Sequence, residues 1–192
     1  MTLPDDFWET RFREGRTPWE REGINPSFTA WLVAGDLSPC RILVPGAGRS
    51  PEPAALLEAG FDVVALDLAN SAVTFQAAAL GVDRTVRADV TTWMPNKMFD
   101  AVYDQTCLCA LPPELWVGYE AQLRRWLRPG GRLFILFMQT EREGGPPFDC
   151  PLSDMRSLFS AWTWPDTLAD GVAHGLGTVE QPAVLVRRNT PE

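Results

Sequence analysis

The sequence predicts an α/β fold, a mainly parallel sheet with helices on both faces. Short apolar runs of strand length alternate along the chain with helix-like segments, the pattern of strand-helix-strand units. The stretch "RILVPGAGRSPEPAALLEAGFDVVALD" (residues 41–67) adds a Gly-Ala-Gly turn directly after the first run and an acid, Asp67, at the close of the second. At 192 residues the chain amounts to about one domain, so we expect a single unit over 1–192.

The predicted strands are RILV (41–44), DVVALD (62–67), TVRADV (85–90), FDAVYD (99–104), GRLFILFM (131–138) and AVLVRR (183–188), with another placed around SAWTWP (160–165). Between the first two, "SPEPAALLEAG" opens on Ser50, Pro51 and an acid and ends at Gly60, as a helix does. A second helix runs from about Pro113 to Leu127, with Leu115, Tyr119, Leu123 and Trp126 near helical spacing, and stops at a turn, "RPGG". "TEREGGPPFDCP" (140–151) reads as a loop. In such a sheet ligands sit beyond the carboxyl ends of the strands at the switch point, where the glycine turn and the acids ending strands two to four converge.

Composition narrows the partners. Lys and Arg number 17 against 25 Asp and Glu, a formal charge of −8, which offers no steering to nucleic acid. No run approaches the roughly eighteen apolar residues of a membrane span, and "MTLPDDFWE" lacks the regions of a signal peptide, so the expected location is the cytoplasm. Cys40, Cys107, Cys109 and Cys150 form no C-x-x-C pair and His174 is the one histidine, so free thiols and no metal are expected.

Gly46 and Gly48 allow a ligand to approach the backbone, and Asp67 is placed to accept two ribose hydroxyls. A G-x-G alone is a weak signal, more often a tight strand-to-helix turn than a nucleotide site. The order of "PGAG", "ALD", "ADV" (88–90), "FDAVYD" (99–104) and "LRPGGRLFILF" (127–137) sharpens it. Pro51 stands where a nicotinamide dehydrogenase would carry the third glycine, so a pyrophosphate seat is absent from the pattern.

That order resembles the class I S-adenosylmethionine-dependent methyltransferases over nearly the whole chain. Within them, "FWETRFREGRTPWE", the acid-free "LVPGAG", "DQTCLCALPPEL" and "EGGPPF" resemble the thiopurine, thiol and halide methyltransferase family. The resemblance implies a Rossmann-like, seven-stranded sheet with an antiparallel last strand, residues 1–35 forming a helical cap over the cofactor site, and S-adenosylmethionine as cofactor. It assigns Trp8, Phe12 and Trp19 to the walls around the cofactor, Gly46 and Gly48 to the methionine end, Asp67 to the ribose, Ala88 and Asp89 to the adenine edge, and Asp104 to the methionyl amine. Spacing alone reads Trp8 and Phe12 as an i, i+4 packing pair, and Asp89 and Asp104 as strand ends. Two departures concern the acceptor: Phe12 replaces the second Trp of plant members, and Phe148 replaces a Tyr, removing a phenol from the implied acceptor pocket.

Methyl transfer from a sulfonium to an anion lowers charge on both partners, so a dry aromatic site favours it. His174, in "ADGVAHGLG", reads as a loop residue, and no catalytic residue is evident. A soft acceptor such as a thiol or hydrosulfide is already substantially ionised near neutral pH and needs no base. Thiopurines, thiocyanate, halide and selenium compounds fit for the same reason. Cys107 and Cys109 read as packing residues, and Cys150 as an exposed loop thiol. The expected function is therefore S-methylation of a small molecule by a cytoplasmic monomer. The alternatives are O- or N-methylation of a small metabolite, which needs a base, and a non-catalytic cofactor-binding protein.

Overall fold

The computed structural model describes residue 3 and residues 6–175 and 177–189; the outer residues of the expected cap and of the 1–192 unit lie outside them. In chain order come α1 (Phe7–Arg13), α2 (Pro26–Ala34), β1 (Arg41–Pro45), α3 (Glu52–Glu58), β2 (Asp62–Asp67), α4 (Asn70–Leu80) and β3 (Thr85–Arg87). There follow β4 (Phe99–Gln105), α5 (Cys107–Ala110), α6 (Trp116–Trp126), β5 (Leu127–Gln139), α7 (Leu152–Leu158), β6 (Trp162–Thr163), β7 (Val172–His174) and β8 (Thr178–Arg187).

The sheet order is β3-β2-β1-β4-β5-β8-β6, with β7 paired to β8. Strands β1 to β5 are parallel, and β8 runs antiparallel to β5 from Arg132↔Val186 to Gln139↔Val179. Because the chain steps outward from β1 to β3 and then returns to β4, the switch point lies between β1 and β4. Both sides of the sheet are buried, as the alternation in β5 shows: Leu133, Ile135 and Phe137 face α6 and α7, while Phe134 and Leu136 face α2 and α3. Local rules explain the helix ends. Asn25 accepts the Ser27 N–H at 2.9 Å, Pro26 fills the first helical position, and Gly35 ends α2 in the left-handed region.

Four expectations need correction. Strand β3 ends at Arg87 rather than residue 90, because Asp89 Oδ1 accepts the Thr91 N–H at 2.7 Å and turns the chain away from the sheet. At "RPGG" helix α6 does end, but the chain passes straight into β5, whose register with β4 shifts between Phe99 and Ala101. Among the described residues β7 joins the seven expected strands; it forms a hairpin with β8 and carries His174, which is buried in a strand rather than in a loop. Cys150 is fully buried, its N–H donating to Met138 O at 2.8 Å, where an exposed loop thiol was expected.

The break in β5 depends on Gly131, where a Cβ would stand 2.8 Å from Arg128 O and 3.1 Å from Asp100 O. Backbone oxygens cannot yield as a flexible side chain does. Gly131→Ala should therefore cost about 1–3 kcal/mol in urea unfolding, and an unchanged midpoint would show that the break is tolerant.

Candidate active site

Beyond the carboxyl ends of β1 and β4, with α1 and the chain after it as its roof, lies a cavity of about 190 Å³. Its floor begins at the turn after β1, where Gly46 and Gly48 have φ of 57° and 53°. A Cβ on Gly46 would lie 3.0 Å from Cys107 Sγ, so glycine is needed there for closeness as well as conformation, whereas one on Gly48 would meet the Phe12 ring at an ordinary 3.7 Å and only the positive φ calls for glycine. Asp67, at the end of β2, ties this floor down: Oδ2 accepts the Gly48 N–H at 2.8 Å and Oδ1 the Ala69 N–H at 2.8 Å. Burial pushes its carboxyl upward while the Ala69 and Gly48 amides pull it back. Each oxygen keeps a lone pair for a further donor.

The roof is aromatic. Trp8 and Phe12 project from α1 and meet Trp19 edge to face, with ring centroids 5.4 and 5.7 Å away and interplanar angles of 83° and 90°. Helix α1 is held by α4, whose N-terminal cap residue, Ala69, has no side chain to contribute; Glu9 instead accepts the Ser71 N–H at 2.9 Å and Oγ at 2.8 Å. Those two bonds hold the Glu9 carboxyl below its usual range. From the floor, Arg49 pairs with Glu20 at 2.7 Å and sits over the Phe12 ring at 5.2 Å. Beneath Trp19, the His174 Nε2 lies 3.3 Å from its carbonyl oxygen, and burial holds that imidazole pKa down.

Trp8, Phe12, Trp19, Gly46, Gly48, Asp67 and Asp89 thus come together on one cavity. Three predicted site residues do not line it. Ala88 lies behind Asp89, its N–H donating to Asp67 O at 3.1 Å, while Val90 reaches the wall. Phe148 packs into the core beside α6 and α7 with its N–H on Cys109 O at 2.7 Å, and Pro146 and Pro147 face the cavity instead. Asp104 is sealed beneath the floor: Oδ1 accepts the Cys107 N–H at 2.9 Å and Oδ2 the Tyr119 hydroxyl at 2.8 Å. An ammonium would have to displace Tyr119 to reach it.

Several wall residues escaped the sequence reading. Glu52 was noted only as an acid at a helix start, Gln105 and Thr106 lay inside the motif "DQTCLCALPPEL" with no role assigned, and Met138 read only as the last residue of a predicted strand. Thr106 has φ of 67°, a costly conformation for a β-branched residue, at the junction of β4 and α5. Cys107 and Cys109 line the cavity, but burial drives both thiols far above the usual range, which leaves them packing groups rather than nucleophiles.

Burial raises the Asp104 carboxyl to about 6, against the Tyr119 and amide hydrogen bonds that lower it. The folded state then holds this proton more tightly than the unfolded chain, so the charge costs nothing below the unfolded value near 3.8 and its full penalty is felt above about 6. Asp104→Asn removes the penalty. Its stability relative to the parent protein should rise by up to about 3 kcal/mol between about pH 4 and pH 7 in urea titrations, and a constant difference would refute the buried charge.

The chain is similar to known proteins in both sequence and fold. Thiocyanate methyltransferase 1 of Brassica oleracea is 30% identical over 159 residues, covering 79% of this chain and 70% of that one. Thiopurine S-methyltransferase of Vibrio parahaemolyticus serotype O3:K6 (strain RIMD 2210633) is 27% identical over 177 residues, 82% of each chain. In fold, the chain is similar to Burkholderia thailandensis 1,6-didemethyltoxoflavin-N1-methyltransferase, solved with S-adenosylhomocysteine bound, at a TM-score of 0.75 and 22% identity over 99% of this chain and 92% of the other. The family resemblance of the motifs is borne out: a model of the thiopurine S-methyltransferase family matches residues 3–170, and the chain belongs to that family.

Proposed function

We propose that the protein transfers a methyl group from S-adenosylmethionine to a small soft nucleophile, a thiol or sulfide, by direct in-line displacement. The observation that carries this reading is the box of Trp8, Phe12 and Trp19 closing over the Gly46–Gly48 turn. The wall fits the cofactor: a diol has the open lone pairs of Asp67, an adenine edge has Asp89 and Val90, and a sulfonium has indole faces that attract cations by about 1–2 kcal/mol when desolvated. When bound, S-adenosylmethionine supplies an electrophilic methyl on a sulfonium.

The chain's residues do the rest. Trp8, Phe12 and Trp19 exclude water, which strengthens the attraction between an anionic acceptor and a cation and holds the two in line. Asp67 fixes the nucleoside, so the reacting end is positioned from a rigid strand terminus. Pro146, Pro147 and the α5 segment form the apolar side on which we place the acceptor, a role first expected of Phe148. Phe12 stands between the two ligands. Catalysis comes from positioning and desolvation, with the acceptor ionised before it enters.

No helix among the described residues is long and apolar enough to cross a membrane. We place the protein in the cytoplasm as a single-domain monomer, with residues 1–35 as cap and a small-molecule acceptor; the charge of −8 argues against nucleic acid.

Incubation with S-adenosylmethionine and hydrosulfide, thiophenol, a thiopurine, thiocyanate, iodide, phenols and amines, read by mass spectrometry, tests the reading. Methylated sulfur products are expected; methylated phenols or amines, or no product, would overturn it. Asp67→Ala should weaken S-adenosylhomocysteine by more than about tenfold in calorimetry, since charged hydrogen bonds contribute about 1.5–3 kcal/mol each. Unchanged affinity in the folded variant would remove Asp67 from the nucleoside site.

A further inference from the structure

Beside the glycine turn the cavity wall contains a charge without a counter-ion. Glu52, the first residue of α3, is fully buried in the wall of the cavity it lines. Its Oε1 accepts the Asn25 N–H at 2.8 Å, and its Oε2 has no hydrogen-bond partner. The neighbouring Ser50 hydroxyl donates to Ala47 O at 2.9 Å. Behind it Glu180 of β8, equally buried, accepts from Asn25 Nδ2 at 2.7 Å and from Arg21 at 3.1 Å through Oε2, while its Oε1 also stands without a partner. Of these two buried carboxylates Glu180 takes the Arg21 guanidinium, and among the described residues no salt bridge reaches Glu52. Arg49, the next cation on the wall, is already paired with Glu20.

Buried carboxylate oxygens are ordinarily satisfied, and a charge is retained in such a place when a cation completes it. We propose that Glu52 is the anchor for a ligand ammonium group, which pairs with Oε2 from inside the cavity while Glu180 and Asn25 hold the carboxylate from behind. Two sources share that chemistry: the α-amine of the cofactor's methionyl end and an amine on the acceptor. Proximity to Gly46 and Gly48 favours the cofactor, and the assignment rests on the reading given under Proposed function. It takes over the role first given to Asp104, which Tyr119 seals off.

Burial raises both the Glu52 and Glu180 carboxyls, opposed by Asn25 at each, by Ser50 at Glu52 and by Arg21 at Glu180. Tyr103, buried nearby, donates its proton to Gln105 at 2.6 Å. A protonated carboxyl facing an arriving ammonium should lose its proton to solvent.

The test compares S-adenosylhomocysteine with 5′-methylthioadenosine, which keeps the nucleoside and thioether but lacks the amino-acid end. Glu52→Gln should weaken the former by more than about tenfold, leave the latter within about twofold, and melt no lower than the parent, since a buried unpaired charge is removed. If the site serves an acceptor amine, Glu52→Gln should instead raise KM for 2-aminoethanethiol and not for ethanethiol. Equal weakening of both nucleosides, or no change in any of these quantities, would overturn the proposal. Should the variant not fold, the parent protein decides: between about pH 5 and pH 8, calorimetry in buffers of different ionisation enthalpy should show proton release with S-adenosylhomocysteine alone. Equal release with both ligands would overturn it. Absence of methylated product would defeat the S-methyltransferase reading while leaving the two-nucleoside comparison intact.

Discussion

The site depends on the Asp67 carboxylate, which joins the end of β2 to the turn after β1 through the Gly48 N–H and to the start of α4 through the Ala69 N–H. Without that bridge the turn would be free to relax, and with it the cavity floor. The same side chain then faces the cavity, so one residue both builds the floor and offers acceptors to what lies on it. The parallel register of β1 and β2, Pro45 opposite Leu66, brings the turn and the acid to the same level.

The roof follows a different logic. None of Trp8, Phe12 and Trp19 belongs to the sheet, and their small cluster includes only Ala69 and Ala72 beneath. What keeps it in place is polar: Glu9 on the α4 terminus and Arg49 on Glu20. Such exposed or half-exposed contacts are individually weak, so the cap is the part of the molecule whose opening is least costly. That suits a site that must be dry during transfer and open for exchange, whereas the floor must not move at all.

How much of this was legible in the sequence follows from what spacing encodes. Strands β1, β2 and β4 are short apolar runs ending at a turn or acid, and the parallel pattern needs nothing more. Periodicity also announced α6. What spacing does not encode is depth: Asp67, Asp89 and Asp104 all end or follow strands, yet one faces the cavity, one turns the chain, and one is sealed beneath Tyr119. Phe148 and Cys150 lie in a loop rich in Gly and Pro that looks superficial, but this loop folds inward and its Pro146 and Pro147 take the wall. Glu52 was hidden in another way. An acid at the start of a helix has a sufficient local explanation, and its partners Asn25 and Glu180 are distant in sequence.

The distribution of charge across the site then separates its parts. Asp67 and Asp104 are each answered by backbone amides or a phenol, and Glu180 by Arg21, so their burial is compensated within the protein. Glu52 is not. A fold under selection for stability alone would place glutamine at 52, whose amide oxygen could still accept the Asn25 N–H without a buried charge. The wall around the expected reacting centre, by contrast, is aromatic and aliphatic, with thiols held neutral by burial. The acids at the aromatic box are answered within the protein, Glu20 by Arg49 and Glu9 by Ser71, and the charge left over is that of Glu52 beside the glycine turn. There it holds a cationic ligand end without lowering the electrophilicity of a sulfonium that the indole faces surround.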